Sequence, residues 1–153
     1  MALDTEAKMI GMENVYAGLQ RHIRSFSGPK LSNVALAGAE KARELIVAEM
    51  AIPKSGRQYK NRPDLPNRSA AKNEFPAIQT RELVDNMKAS RMLSRPGLGM
   101  AKLETTSQQA WWQEFGFTTK DGKVHMHPFM RPGVDKHMGE IKAAMRAKME
   151  AIR

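Results

Sequence analysis

A chain of 153 residues is long enough to bury a core of its own, so we expect residues 1–153 to form a single domain. The chain has no cysteine, which excludes disulfides, thiolate metal sites and cysteine nucleophiles. Its net charge of +9 allows attraction to nucleic acid or to an acidic protein surface, and charge alone does not choose between these partners and a merely solvated basic surface.

The apolar runs of the sequence are much shorter than the ~20 residues that cross a bilayer. The N-terminal residues also lack the basic-then-apolar order of a secretion signal, so we expect a cytosolic product with no membrane partner. Aromatic residues make up only 6% of the chain, whereas methionine occurs 12 times. We therefore expect an adaptable core of aliphatic and methionine side chains.

Two amphipathic helices are predicted first. A helix over about 5–26 follows from apolar residues spaced three or four apart, namely Met9, Met12, Val15, Tyr16, Leu19, Ile23 and Phe26. Gly28 and Pro29 end it, because proline cannot continue a helix but suits the first turn of the next. The second helix covers about 30–51, with a predicted buried side of Leu31, Val34, Ala35, Gly38, Ala42, Leu45, Ile46 and Met50.

Residues 53–76 are predicted to be a long basic loop, since they contain four prolines and show no apolar period. Loops of this length are usually disordered linkers or binding segments. Two interpretations of the segment are equally open: it is either a solvated, flexible loop or a docking loop that contacts phosphate or an acidic protein surface. The docking interpretation would use Arg57, Tyr59, Lys60, Arg62, Arg68 and Lys72.

A hairpin is predicted after this loop. Residues 80–87 favour a short helical turn with Leu83, Val84 and Met87 facing inward, and residues 88–93 favour an extended strand. The turn signal at 95–99 then leads into a returning strand at 100–105.

The next helix is predicted over 107–115, with Thr106 and Gln109 as a capping box and Gly116 after the last turn. Trp111 and Phe115 would share one helix face, whereas Trp112 would point about 100° away from Trp111. A strand would also separate the two indole rings. We therefore expect the rings to serve two surfaces, with Trp111 and Phe115 entering the core. The alternative is that both indole rings are buried in one core.

The chain should end in a second hairpin and a helix. Residues 117–119 and 124–127 flank Asp121 and Gly122, a strong signal for a two-residue turn. The last helix is expected from about 133 to the end, with an apolar stripe of Val134, Met138, Ile141, Met145, Met149 and Ile152. The predicted fold class is α+β, with two N-terminal helices and one C-terminal helix packed on a small antiparallel sheet of hairpins.

The candidate chemical groups favour no catalytic site. His125 and His127 on a strand would face the same side, where His137 or Asp135 could complete a metal shell, but two exposed hairpin histidines are the preferred interpretation. Glu114 lies beside the aromatic residues, where burial could raise its pKa as in a catalytic acid. An ion pair or a helix-cap contact to a neighbouring chain is favoured, and we predict no enzyme and no cofactor.

Four sequence segments, in this order, resemble the tail-completion or head-to-tail joining proteins in the neck of lambda-like long-tailed bacteriophages. They are residues 53–59 (PKSGRQY), 75–83 (FPAIQTREL), 110–116 (AWWQEFG) and 127–132 (HPFMRP). Three positions depart from the family pattern, since Arg81 stands where the family usually has glycine, Phe117 where it has threonine and Gly133 where it has alanine. The resemblance covers residues 53–153.

The resemblance implies a structural virion protein that forms a ring, with six subunits as the expected number, and that completes the tail and joins it to the head. Its partners would be copies of itself, other neck proteins, the tail tube or tail terminator, and head-completion or portal proteins, with possible contact to DNA in the channel. It would be located in the host cytoplasm during assembly and in the virion afterwards. Trp112 would contact the neighbouring subunit, and the full set of expected interface residues is Trp111, Trp112, Glu114, Phe115, Phe129 and Arg131. The alternative is a basic nucleic-acid-binding protein.

Overall fold

The computed structural model describes residues 16–20, 27–93, 95 and 97–152. The predicted α+β class is confirmed: the described residues form helices and two antiparallel two-stranded sheets. In chain order the elements are α1 (Gly28–Ala51), α2 (Glu82–Asp85), β1 (Met87–Arg91), β2 (Ala101–Thr105), α3 (Gln108–Phe115), β3 (Phe117–Thr118), β4 (Val124–His125), α4 (Met130–Lys136) and α5 (Met138–Glu150).

Helix α1 is the centre of the fold, because the first hairpin, α4 and α5 all pack against it. Its predicted buried side is largely correct: Val34, Gly38, Ala42, Ile46 and Met50 are buried, whereas Leu31, Ala35 and Leu45 are half-buried. The main core cluster joins this helix to the rest of the chain through Ile46, Met50, Leu83, Val84, Met87, Ala110 and Phe129. The inward orientation predicted for Leu83, Val84 and Met87 is therefore confirmed.

Only residues 16–20 of the predicted first helix are described, and they are helical. Tyr16 and Leu19 from its predicted apolar stripe are 64% and 55% exposed, so neither side chain adds to the core. The other residues of that stripe lie outside the described part of the chain.

The first hairpin has the predicted form. β1 and β2 pair antiparallel from Met87 opposite Thr105 to Arg91 opposite Ala101. Arg43 of α1 fixes the start of this hairpin, since its Nε donates to the Met87 carbonyl at 2.7 Å. At the far end, Gly99 lies so close to α1 that a Cβ would be 2.0 Å from the Leu31 carbonyl carbon, which excludes any larger residue there.

The second hairpin is shorter than predicted, and its turn is one residue longer. β3 and β4 pair Phe117 with His125 and Thr118 with Val124. The Gly122 amide donates to the Thr119 carbonyl at 2.9 Å, and Gly122 has φ 75°. This arrangement is typical of a three-residue loop closed by a left-handed glycine, so the two-residue turn was the wrong prediction although the Asp-Gly signal marked the right place.

The predicted last helix is two helices, α4 and α5, with the break at His137 (φ −107°). α4 begins at Met130, before the predicted start at about 133. Pro132 lies in its first turn, where backbone N–H groups have no acceptor within the helix, so the missing N–H of proline costs no helical hydrogen bond. His137 holds the break: its Nε2 lies 3.1 Å from Glu49 and its Nδ1 lies 3.0 Å from Glu140. Of the predicted apolar stripe only Ile141 is buried.

Glu49 ties α1 to these last helices. Its Oε1 accepts a hydrogen bond from Lys136 Nζ at 2.6 Å, and its side chain is only 13% exposed. The Lys136 contact, helped by His137, lowers the pKa of Glu49 although burial opposes the shift. The ionised form of Glu49 is therefore the one that links the helices.

Residues 53–76 contain no helix or strand, so the predicted long loop is confirmed, and several hydrogen bonds connect its residues to one another. The Gly56 and Ser69 amides donate to the Ser69 and Arg57 carbonyls, each at 3.1 Å. Glu74 accepts hydrogen bonds from the Ala71 amide and the Ser55 hydroxyl, both at 2.7 Å, and these contacts lower its pKa. Lys54 is buried, which lowers its pKa, and its ammonium donates to the Glu49 carbonyl at 2.8 Å.

Candidate interaction surface

Helix α3 is fixed at both ends, although not by the predicted capping box. Its N-cap is Ser107, whose hydroxyl donates to Glu82 at 3.2 Å, while the Thr106 hydroxyl bonds Asn86 at 3.3 Å. At the other end Gly116 has φ 85° and its amide donates to the Trp112 carbonyl at 2.9 Å. The residue of α3 that enters the core is Ala110, at 4% exposure.

Trp111 and Phe115 form an exposed aromatic pair, which corrects the prediction that they enter the core. Their ring centroids are 4.3 Å apart, as expected for residues four apart on a helix. Each side chain is nevertheless 63% exposed. The small Ala110 brings α3 close to the core, and this orientation turns the Trp111 and Phe115 rings outward.

Trp112 belongs to a second aromatic group. Its ring centroid is 6.4 Å from that of Phe117, which in turn stacks on His125 at 5.7 Å. Trp112 is 44% exposed. The two indole rings thus contact different neighbours, so the predicted separation of their surfaces is confirmed.

Glu114 and Phe129 have internal roles. Glu114 Oε2 accepts hydrogen bonds from the Phe129 and Met130 amides at 2.8 and 3.0 Å, which satisfies two donors at the start of α4. The expected cap contact therefore forms within the same chain and not with a neighbour. Phe129 is 0% exposed, so it belongs to the core and cannot be the interface residue that was predicted.

Arg131, another predicted interface residue, is exposed, and its Nε lies 3.8 Å from the Asp135 carboxylate.

The predicted docking residues do not form one cluster. Arg57 and Tyr59 line a groove that α3 also borders, whereas Arg62 pairs with Asp64 at 3.0 Å. Lys60, Arg68 and Lys72 are exposed and form no ion pair with the described residues.

His125, His127 and His137 do not come together as the shell of a metal site. His125 stacks on Phe117, His127 Nδ1 lies 3.2 Å from the Glu74 carbonyl oxygen, and His137 is held by carboxylates elsewhere. Within the part of the chain that the structure describes, no group of three or more His, Cys, Asp or Glu residues could hold a metal ion.

A groove of about 330 Å³ separates the 53–76 segment from α3 and the second hairpin. His125 and His127 border it together with Arg57, Arg81 and two glutamines of α3, Gln109 and Gln113. Gln109 was predicted only as a capping residue, and Gln113 was not predicted to belong to a site. Their spacing of four on a short helix was the available signal, because residues four apart share a helix face.

Special backbone geometry occurs at Arg81, where the family usually has glycine, and at Gly56 and Gly116, two glycines of the resembling segments. Arg81 has φ 60° and Gly116 has φ 85°, both in the region that glycine adopts without strain. At Gly56 a Cβ would lie 2.3 Å from the Ser69 carbonyl oxygen. The turn at Arg81 therefore keeps the conformation that a glycine would favour, although the residue differs.

Arg81→Gly should raise the free energy of unfolding by about 0.5–1 kcal/mol, because relief of left-handed strain exceeds the added entropy of the unfolded chain. Loss of the exposed Arg81–Asp85 ion pair, at 3.7 Å, should lower the free energy of unfolding only slightly. Asn73→Gly is the matched control, since Asn73 has φ 69° but asparagine tolerates this region better. Urea denaturation of both variants tests the difference, and a loss of stability in Arg81→Gly would contradict it.

None of the described helices combines the length and apolar character needed to cross a bilayer. Comparison of the chain with protein-family models, with curated proteins and with solved structures finds no match.

Proposed function

We propose that this chain is a structural subunit of a bacteriophage neck, which forms a ring that completes the tail and joins it to the head. Four sequence segments support the proposal by their order, and within them the backbone at Gly56, Arg81 and Gly116 has the geometry that favours glycine. The protein would act through surface contacts with neighbouring subunits and not by turning over a substrate.

The observation that carries the proposal is the exposed Trp111–Phe115 pair. Exposed contiguous aromatic side chains are costly in a solitary protein and mark interaction surfaces. Tryptophan is also enriched among the residues that dominate binding energy at interfaces. Because Ser107, Ala110 and Gly116 fix α3 in place, the pair is presented on a rigid element and loses little freedom on binding.

A closed ring needs two different surfaces that meet head to tail. The second candidate surface is the end of the first hairpin, where Met92, Leu93 and Leu98 are 45%, 91% and 49% exposed. The turn there is short, since Arg95 and Leu98 exchange backbone hydrogen bonds at 3.1 and 2.9 Å. We propose that the Trp111–Phe115 pair of one subunit contacts a surface of this kind on the next subunit or on an adjoining neck protein.

Trp111→Ala should leave the monomer folded and weaken assembly by about 30-fold or more, which corresponds to the ~2 kcal/mol typical of a dominant interface residue. Tyr16→Ala is the control, because Tyr16 is equally exposed, at 64% against 63% for Trp111. Sedimentation velocity with purified neck and tail proteins measures the assembly, and circular dichroism confirms the fold.

The location is tested by negative-stain images of phage particles that carry a tagged copy of the chain. Label at the junction of head and tail is the expected result. A chain that stays monomeric with neck and tail proteins, carries no label at the neck and binds DNA with an affinity that falls steeply with salt would overturn the proposal in favour of the nucleic-acid-binding alternative.

A further inference from the structure

The groove between the 53–76 segment and α3 has an apolar floor and a polar rim. Its floor is continuous with the core and consists of Met50, Pro76, Ile78, Leu83 and Val84. Its volume, about 330 Å³, is at the lower end of the range for ligand pockets. The space therefore suits a short stretch of peptide or a small ligand.

The rim of the groove is cationic. Arg57 and Arg81 line it, and no Asp or Glu is among the described residues that do. The Arg57 guanidinium and the side-chain amides of Gln109 and Gln113 form no hydrogen bond with other described residues. Among the residues that the structure describes, the Arg81 guanidinium has only the long, exposed contact to Asp85 at 3.7 Å. These donors are thus free to bind an incoming carboxylate or main-chain carbonyl.

The aromatic residues of the groove favour a peptide over a nucleic-acid base. Phe117 already stacks on His125, with an interplanar angle of 22°, and contacts Trp112 from another direction. A base would have to displace these contacts or use Tyr59 alone, whereas single-strand binding proteins rely on successive free rings. An aliphatic side chain needs only the apolar floor.

We propose that this groove binds an extended acidic segment of a partner protein. Carboxylates of the segment pair with Arg57 and Arg81, its aliphatic side chains contact the floor, and the amides of Gln109 and Gln113 donate to its main chain. Gln109 and Gln113 lie on α3, the helix that also carries Trp111 and Phe115, but the Trp111–Phe115 pair does not line the groove. Peptide binding thus goes beyond the proposed ring contact, and either can fail while the other holds.

The test uses the full chain labelled with ¹⁵N and three probes. They are a capped pentapeptide that alternates leucine with glutamate, the same peptide with glutamine in place of glutamate, and pentathymidylate. The acidic peptide should shift the amide signals of Gln109, Gln113 and residues 77–81, and it should bind at least about fivefold more tightly than the glutamine peptide.

Arg57→Gln and Arg81→Gln should each weaken binding of the acidic peptide by about fivefold, or ~1 kcal/mol. Arg131→Gln is the matched control and should leave it unchanged, because Arg131 has a similar i,i+4 contact to Asp135 at 3.8 Å but does not line the groove. Equal binding of the two peptides, no binding, or equal loss in Arg131→Gln would overturn the proposal. Groove shifts with pentathymidylate alone would replace it with nucleic-acid binding.

Discussion

Phe129→Ala is expected to lower the free energy of unfolding by about 3–5 kcal/mol, the usual cost of removing a buried aromatic ring. The ring is fully buried, at 0% exposure, within the cluster that joins α1, the first hairpin and α3. Since domains are stable by only about 5–15 kcal/mol, this variant should be near the limit of folding. Guanidinium denaturation followed by circular dichroism gives the change.

Phe115→Ala is the matched control, because it removes the same side chain from a site that is 63% exposed. It should cost less than about 1 kcal/mol. Both phenylalanines were predicted to be interface residues, and the two variants distinguish a core role for Phe129 from a surface role for Phe115. If both variants lost similar stability, the assignment of Phe129 to the core and Phe115 to the surface would be wrong.

Glu114→Ala should lower the free energy of unfolding by about 2–4 kcal/mol, because it leaves the Phe129 and Met130 amides without their acceptor. Glu114→Gln keeps one acceptor oxygen and should cost about half as much. Hydrogen exchange provides the specific measurement: protection of these two amides should fall more than protection in α1.

Glu44→Gln is the control for the charge itself. Glu44 is an exposed glutamate, paired with Lys41 at 2.7 Å, and its loss should cost under about 0.5 kcal/mol. An effect of Glu114→Ala no larger than that of Glu44→Gln would show that the contact to the start of α4 adds nothing to stability.

The elements that follow from local patterns were predictable. The apolar period of α1 marks most of its buried side, and the turn residues between the strands of each hairpin place both hairpins. These signals depend on residues within one or two turns of each other, so the sequence contains them directly. The inward side of Leu83, Val84 and Met87 was predictable for the same reason.

The position of the Trp111 and Phe115 rings was not predictable from size and hydrophobicity. Burial depends on which face of α3 meets the core, and the small Ala110 occupies that face. Both interpretations of the segment correctly separated Trp111 from Trp112, but periodicity alone does not say which face is inside.

The conformation of residues 53–76 could not be predicted from the sequence for a different reason. Its contacts are polar and join residues far apart in sequence, such as Ser55 to Glu74 and the Lys54 amide to Asn67 at 2.9 Å. Side-chain hydrogen bonds over such separations have no period. The sequence of residues 53–76 therefore predicts a loop but not the hydrogen bonds that connect its residues.

The placement of both tryptophans on α3 makes intrinsic fluorescence a report on a single part of the molecule, because the chain contains no others. With 63% and 44% exposure, their emission in the free protein should be red-shifted and readily quenched by acrylamide. Docking of any partner over Trp111 should shift the emission to the blue and slow the quenching. The protein thus carries its own optical probe of association, with no need for a dye.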